Sequence, residues 1–198
     1  MTKDSIYGGH LPEMEEAMYS LQQMLEQIRE EMKEKLGMDP VEHCLARIKT
    51  EDSMREKCRR RGFPENEHSA LELIHDGIGI RIVCPFIDDV YQICHQLKAK
   101  ADRGELEVAE EKDYIRHVKP NGYRSLHLIV KYRGYYAEIQ LRTISMDTWA
   151  ALEHHIRYKK NLKGDPELIA KELKRCADEL ASTDLSMQTI RDMAMTGL

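Results

Sequence analysis

One short segment of the chain alternates polar and apolar side chains in a way that suits a binding cleft. Because side chains on a strand alternate between its two faces, Glu138, Gln140 and Arg142 would share one face. On the preceding apolar segment, His127 and Lys131 also share one face. A sheet with one face in water would produce a similar alternation. However, a face that gathers a carboxylate, an amide, an imidazole and two cations favours a polar binding cleft.

The carboxylate of Asp76 is a second candidate, since it lies just before an apolar run that predicts a buried strand. Mg²⁺ prefers hard oxygen ligands and usually takes one or two carboxylates together with substrate phosphates. Facing Glu138 on a neighbouring strand, Asp76 could hold the ion against a polyphosphate. Two alternatives remain open: a plain turn at Asp76 and Gly77, and a metal-dependent phosphohydrolase, suggested by His75. The hydrolase needs several further His and Asp ligands, which the sequence does not assemble.

Cations cluster earlier in the chain, where Arg47, Lys49, Arg55 and Lys57 surround Ser53. If the chain is extended from Arg47 to Lys49, the two cations lie on one side. That arrangement suits a polyphosphate, because Arg and Lys both bind phosphate oxygens. A solvated basic face is the alternative.

A tyrosine follows a turn signal, since Pro120, Asn121 and Gly122 directly precede Tyr123. Glycine lets the backbone approach a ligand closely, and the tyrosine ring offers an amphipathic surface on which a base can stack. A plain turn that carries an exposed tyrosine is the alternative.

The elements that must position these residues follow from hydrophobic periodicity and turn signals. Helices are predicted at 12–36, 69–74, 87–100 and 145–158, from Asp165 onward, and between an N-cap at Thr50 and a stop at Gly62. Strands are predicted at 78–83, 105–110, 126–132 and 136–142, the last two joined by a hairpin at Arg133 and Gly134, while 41–49 is strand or helix. This interleaving predicts an α/β (α+β) fold: a mixed β-sheet of about five strands, flanked by N- and C-terminal helices.

Composition limits the classes of function. The chain has 198 residues, a net charge of −5 and five cysteines, none of them in a C-x-x-C pair. An acidic chain is not built to coat nucleic acid, and an odd set of scattered cysteines argues against a disulfide framework and a cysteine zinc site. The sequence shows no apolar signal core and no run of about 18 apolar residues. We therefore expect a soluble, cytoplasmic, reduced protein without a membrane partner.

Taken together, these motifs resemble the synthetase domain of the RelA/SpoT family. The matching segments are Asp76 with Arg81, then 112–115 (KDYI), 119–127 (KPNGYRSLH), 138–143 (EIQLRT) and 149–154, ending near Tyr158 and Lys159. They occur in one order over about residues 39–160, and the short chain is similar to the small alarmone synthetases. The resemblance implies a nucleotidyltransferase-like synthetase domain at 39–160. An N-terminal amphipathic helix would occupy 1–38 and C-terminal helices 161–198.

The family resemblance also implies a reaction, in which the 3′-hydroxyl of GDP or GTP attacks the β-phosphate of ATP and AMP leaves. The implied catalytic residues and metal ligands are Asp76, which would hold Mg²⁺, and Glu138, which would act on the attacking hydroxyl as base or orienting group. The implied ATP contacts are Arg47, Lys49, Ser53, Lys57 and Arg81, with the adenine between the two arginines. The implied contacts to GDP or GTP are Lys112, Tyr123, His127 and Gln140, with Tyr123 stacked on the guanine.

Three departures from the family pattern leave the details of the guanine pocket and the acceptor preference open. Gly77 stands where relatives often carry a larger apolar residue, Arg55 stands at a position expected to be less basic, and Asp147 replaces an amide of some members. Two other functions also stay open. A toxin-type relative would pyrophosphorylate tRNA or an adenosine nucleotide, and would need a further basic patch. A non-catalytic nucleotide- or RNA-binding module would have little use for both Asp76 and Glu138.

We further expect a homo-oligomer assembled through the terminal helices. The stripe on 12–36 and the apolar residues of the last helical region exceed what one small domain needs, and exposed apolar patches usually mark association surfaces. Packing of both helices on their own domain is the alternative. The resemblance implies a tetramer, and it admits a single-stranded RNA as a regulator.

Overall fold

The computed structural model describes residues 5–157 and 164–196, and a five-stranded sheet lies at its centre. The strands are β1 (His43–Ile48), β2 (Ile78–Cys84), β3 (Glu107–Asp113), β4 (Leu126–Tyr132) and β5 (Tyr135–Thr143). Their order across the sheet is β1-β2-β5-β4-β3. The β2–β5 pair is parallel and the other pairs are antiparallel. The predicted mixed sheet is therefore confirmed.

Five α-helices surround the sheet. They are α1 (Leu11–Leu36), α2 (Glu51–Arg61), α3 (Ile87–Asp102), α4 (Ile144–Arg157) and α5 (Pro166–Thr196). A short π-helical turn, Ser69–Leu73, lies where an α-helix was predicted at 69–74. Tyr158 and Lys159, where the family resemblance ends, lie outside the described residues. Within the described part of the chain, no helix combines the length and the apolar character needed to cross a membrane.

The core lies against one face of the sheet. Ile80 of β2 and Ile139 of β5 are almost fully buried there, together with the inward stripes of α1 and α3. On α3 this stripe consists of Val90, Ile93, Cys94 and Leu97, as the periodicity predicted. The opposite face of β5 presents polar side chains, so the sheet separates an apolar core from a polar surface.

Local signals set several boundaries as predicted. Thr50 caps α2 by accepting a hydrogen bond from the backbone N–H of Ser53, and Gly62 ends that helix. At the β4–β5 hairpin, Arg133 and Gly134 both have positive φ angles, of 49° and 89°. This is the conformation of a two-residue turn whose twist matches the flanking strands.

The edge strand β3 differs from its prediction. It spans Glu107–Asp113 rather than 105–110, so Lys112 lies within it. Because β3 has no clear apolar alternation of its own, pairing with β4 decides its bounds: Lys112 pairs with His127, and a register shift lies between Val108 and Glu110. The ambiguous segment 41–49 contains strand β1.

The two terminal helices differ in how they meet the domain. Seven α1 side chains are buried: Met14, Ala17, Leu21, Met24, Leu25, Ile28 and Met32. The expected spare apolar surface on α1 is therefore absent from this stripe, because the sheet and α3 cover it. By contrast, α5 buries Ala177, Asp184 and Arg191. It exposes six large apolar side chains: Leu168, Leu185, Met187, Ile190, Met193 and Met195.

Candidate active site

A cleft of about 380 Å³ opens on the polar face of the sheet, over strands β1, β2 and β5. Six of the predicted site residues line it: Arg47, Lys49, Asp76, Arg81, Glu138 and Gln140. Strand register explains the grouping, since Gly79 pairs with Arg47 on one side and with Glu138 on the other. A Cβ placed on Gly79 would have one neighbour within 4 Å, the carbonyl oxygen of Arg47 at 3.9 Å. The missing side chain therefore leaves the floor of the cleft open.

Asp76 lies at the start of β2, facing two lysines. Its Oδ2 accepts hydrogen bonds from Lys57 Nζ at 2.5 Å and lies 3.2 Å from Lys49 Nζ. Its Oδ1 is buried and has no hydrogen-bond partner among the described residues. A buried polar oxygen without a partner is costly, so this atom is suited to a ligand that supplies positive charge.

Asp76 and Glu138 suit a magnesium ion that is also bound by substrate phosphates better than a metal ion bound by protein ligands alone. Within residues 5–157 and 164–196, no three His, Cys, Asp or Glu side chains come together as a complete metal site. Mg²⁺ is usually bound by one or two carboxylates and by substrate phosphates. The free Oδ1 of Asp76 supplies one hard oxygen ligand, and the Glu138 carboxylate lies on the same cleft.

Both carboxylate oxygens of Glu138 have a partner. Oε1 is 3.1 Å from His127 Nδ1, and Oε2 accepts a hydrogen bond from Gln140 Nε2 at 2.7 Å. Burial raises the pKa of Glu138, but the hydrogen bonds from His127 and Gln140 and the charge of Lys57 lower it to about 2. Glu138 is therefore ionised at neutral pH.

These contacts belong to a closed ring of five side chains. His127 Nε2 lies 2.8 Å from the Tyr123 hydroxyl, which accepts a hydrogen bond from Arg142 Nη2 at 2.7 Å. The same Arg142 nitrogen donates to Gln140 Oε1 at 3.0 Å. Gln140 in turn donates its hydrogen bond to Glu138, so each member of this hydrogen-bonded ring contacts two others. We call these five residues the acceptor ring.

Tyr123 is held from several sides. It follows Gly122, whose φ of +91° an L side chain rarely adopts, and a Cβ on that glycine would lie 2.7 Å from the Cβ of Ala177 on α5. Lys119 Nζ lies 4.1 Å from the ring centroid of Tyr114 and 4.9 Å from that of Tyr123. The predicted turn thus brings a cation and two aromatic rings to one end of the cleft.

At the other side of the cleft, Arg81 and Arg47 flank an apolar side chain. Leu45 pairs with Arg81 across the β1–β2 ladder and leaves 56% of its surface exposed. Arg81 Nη1 lies 3.3 Å from Asp147 Oδ1. Burial and the charge of Arg142 lower the pKa of Arg81, while Asp147 raises it. Two guanidinium groups around an exposed leucine are suited to a planar base.

Two predicted residues lie apart from this cluster. Ser53 is exposed in the first turn of α2, where its hydroxyl accepts a hydrogen bond from Thr50 Oγ1 at 2.8 Å. Lys112 Nζ pairs with Glu110 Oε2 at 2.7 Å, beside His127 in the β3–β4 register. The structure brings the remaining nine predicted residues to the cleft, to Asp76 or to the acceptor ring.

Three residues near the cleft had received no role from the sequence. Arg142 completes the acceptor ring, Asp147 bridges Arg142 and Arg81, and Lys119 lies over the two tyrosine rings. Arg142 had a usable signal, since it continues the polar alternation of Glu138 and Gln140. Asp147 had none, because its partners lie on β5 and β2, and the position of Lys119 over two tyrosines depends on how the β3–β4 loop folds.

Comparisons with known proteins identify the family of this chain. The family model described as "Region found in RelA / SpoT proteins" matches residues 46–163. The GTP pyrophosphokinase YwaC of Bacillus subtilis (strain 168) is 42% identical over 163 residues, covering 78% of this chain and 76% of the relative. The crystal structure of small alarmone synthetase 2 from Bacillus subtilis is 38% identical, with a TM-score of 0.76 over 89% of this chain and 93% of that one.

A second solved structure carries a nucleotide. Small alarmone synthetase 1 from Bacillus subtilis, bound to its product pppGpp, is 32% identical to this chain, with a TM-score of 0.79. The match covers 91% of this chain and 94% of that chain. The family model spans strands β2 and β5, which carry much of the cleft, and the chain therefore belongs to the RelA/SpoT family, as a member of its small alarmone synthetase type.

Proposed function

We propose that this chain is a GTP pyrophosphokinase, which transfers the pyrophosphoryl group of ATP to the 3′-hydroxyl of GDP or GTP. The products are ppGpp or pppGpp, together with AMP. One observation carries the proposal: a carboxylate oxygen without a partner, beside two lysines, shares a cleft with the ionised Glu138. Pyrophosphoryl transfer depends mainly on positioning and on charge stabilisation, which such a cleft supplies.

ATP would occupy the end of the cleft that contains Asp76, which we call the donor end. Asp76, with Glu138, would hold Mg²⁺, and the ion when bound would neutralise charge on the phosphate oxygens. Lys49 and Lys57 are already adjacent to Asp76 and would bind the phosphates. Ser53 lies in the first turn of α2, and helix N-termini favour phosphate groups.

The adenine would then lie near Leu45, between Arg47 and Arg81. The exposed leucine offers an apolar contact, and the two guanidinium groups can stack on a planar base.

The guanine nucleotide would occupy the end that contains the acceptor ring. Tyr123 would stack on the guanine, and Lys112, His127 and Gln140 would surround the nucleotide. Glu138 would accept a hydrogen bond from the 3′-hydroxyl and orient its oxygen toward the β-phosphate. The contacts of Glu138 with His127 and Gln140 keep the carboxylate ionised, so it can act on the hydroxyl as base or as orienting group.

We also propose that the chain forms a homo-oligomer through the outer face of α5, and the tetramer remains the expected size. Support comes from the six exposed apolar side chains of that helix. Light scattering on the full chain and on a variant with Ile190→Glu and Met193→Glu tests this, with Ser182→Glu as a control on the same helix. A monomer for the unmodified chain would contradict it.

We also propose that a single-stranded RNA regulates the enzyme and that the protein is cytoplasmic. All five cysteines are free thiols, which suits a reducing compartment. Titration of the oligomer with a labelled single-stranded RNA would test the regulator.

The function itself is tested by offering several acceptors in parallel. Purified protein is incubated with ATP and Mg²⁺, and with GMP, GDP, GTP, AMP or tRNA. The proposal predicts guanosine 3′-diphosphate products with GDP or GTP. Products confined to tRNA or to the adenosine nucleotide would indicate the toxin-type activity, and the absence of any product would indicate a binding module.

A further inference from the structure

The acceptor ring contains one side chain that can only donate hydrogen bonds. Arg142 is 4% exposed, and each of its three side-chain nitrogens donates a hydrogen bond. Nη2 donates to the Tyr123 hydroxyl and to Gln140 Oε1, Nη1 donates to Asp147 Oδ1 at 2.9 Å, and Nε donates to Ser125 Oγ at 3.4 Å. Because a guanidinium has five donors and no acceptor, its partners must all accept.

For a neutral His127 beside the ionised Glu138, this constraint sets the direction of the first arm of the ring. Since the Tyr123 oxygen accepts from Arg142, its own proton is available to His127 Nε2. A neutral imidazole that accepts at Nε2 carries its proton on Nδ1. That nitrogen faces Glu138 Oε1, so the arm ends with a donor on the carboxylate.

The second arm runs the same way. Gln140 Oε1 accepts from Arg142, which turns the amide nitrogen toward Glu138 Oε2. The ionised Glu138 only accepts hydrogen bonds. In the ring, Arg142 therefore only donates hydrogen bonds and Glu138 only accepts them. The hydrogen bonds of both arms run in the direction from Arg142 to Glu138.

We propose that Arg142 is a positioning residue for pyrophosphoryl transfer, which acts through the two arms of the ring on Glu138 and on the ring of Tyr123. This inference rests on the proposed function, and it goes beyond it by giving a role to a residue that contacts neither reacting group. Without Arg142, Gln140 Oε1 and the Tyr123 hydroxyl each lose a charge-assisted hydrogen bond, and both arms gain freedom to rotate. The Glu138 carboxylate then loses the support that holds it toward the 3′-hydroxyl.

The primary test is Arg142→Lys, with Arg142→Met as the stronger change. A lysine keeps the charge but cannot reach both arms, because its ammonium lacks the planar fork of arginine. One hydrogen bond to a charged group corresponds to roughly 10- to 150-fold in rate or affinity. We expect kcat to fall and KM for GDP to rise in the Lys variant, and further in the Met variant, with a smaller change in KM for ATP.

The matched control is Arg191→Lys. Arg191 is also buried, donates to Asp89 Oδ1 at 2.8 Å and lies over the ring of Phe86, outside the cleft. The Arg191→Lys substitution should lower the melting temperature and leave the KM values for ATP and GDP unchanged. If Arg142→Lys behaves in the same way, with lower stability and unchanged kinetic constants, Arg142 is only structural and the inference fails.

A second readout does not depend on activity. Nitrogen NMR of the histidine rings, with His127 assigned from a His127→Gln variant, reports which ring nitrogen carries the proton. The ring requires a proton on Nδ1 of His127 and none on Nε2 in the unmodified protein, and a proton on Nε2 would overturn the inference. If the unmodified protein makes no alarmone, the proposed function fails, while the His127 spectrum still decides the direction of the ring.

Discussion

At the donor end of the cleft, two lysines share one oxygen of Asp76 and leave the other oxygen without a partner, whereas at the acceptor end every ring member is bonded to two others. The donor end thus has unsatisfied groups that a metal and phosphates would complete. The acceptor end is already assembled by the protein. A substitution at the donor end should therefore affect ligand binding more than folding, while one in the ring should affect both.

The largest effect is expected for Asp76→Asn at the donor end. Loss of the charge should lower the rate by roughly 10³-fold or more, because metal stabilisation of transition-state charge is worth several kcal/mol. The melting temperature should change little, since Asn has the same shape. Initial rates over a Mg²⁺ series and thermal unfolding are the measurements, with Asp102→Asn, an exposed position at the end of α3, as the control. A rate within tenfold of the unmodified enzyme would remove Asp76 from the metal site.

Glu138→Gln tests the other end. We expect turnover to fall by about 10² to 10⁴, the range typical for a general acid or base. Unlike Asp76→Asn, it should also lower the melting temperature, because the new amide cannot accept from both His127 and Gln140. Steady-state turnover and calorimetry on the same preparation check both effects. Nearly normal turnover would exclude Glu138 from the mechanism.

Substitutions of Tyr123 should affect binding of the guanine nucleotide and binding of ATP differently. Tyr123→Ala should weaken binding of the guanine nucleotide by roughly 5- to 150-fold, since base–aromatic stacking contributes about 1–3 kcal/mol. ATP binding should change much less. Tyr123→Phe keeps the stacking surface but loses the hydrogen bonds to His127 and Arg142, so its guanine affinity should fall less than that of the Ala variant. Separate titrations of ATP and GDP decide, and equal losses for both nucleotides in the Ala variant would show that Tyr123 is not the guanine platform.

Asp147→Asn should have the smallest effect and tests whether the two ends are coupled. Asp147 Oδ1 contacts Arg142 and Arg81, one in the acceptor ring and one beside the proposed adenine site. An amide oxygen can still accept from one guanidinium but gives up the charge, and charge-assisted bonds are about twice as strong as neutral ones. We expect KM to rise about fivefold for both nucleotides, since the charge-assisted bond is about 1 kcal/mol stronger than the neutral one. A rise in KM for only one nucleotide would show that Asp147 supports only one end of the cleft.

Much of this site was predictable because its signals are local. The polar alternation around Glu138, the hairpin at Arg133 and Gly134 and the cap at Thr50 depend on neighbouring residues, and the structure confirms them. The bounds of strand β3 were not predictable, because its pairing with β4 sets them rather than its own residue pattern.

The orientation of α5 also escaped prediction. Periodicity indicates a helix, but not which side faces the domain. Ala177, Asp184 and Arg191 face inward at seven-residue steps. Asp184 accepts from Thr143 Oγ1 at 2.6 Å and Arg191 donates to Asp89, so partners from β5 and α3 decide the buried side. The role of Arg142 was hidden for the same reason, because it depends on Tyr123, 19 positions away in the chain.

The most direct test of the central claim follows the fate of ATP with each phosphate labelled separately. Transfer of a pyrophosphoryl group at this cleft predicts that α-label appears in AMP, in equal amount to the ppGpp formed from GDP. Label from the β- and γ-phosphates should move together to the guanosine product, and Asp76→Asn and Glu138→Gln should reduce both products in parallel. Formation of ADP, or of AMP without a guanosine 3′-diphosphate, would contradict the account.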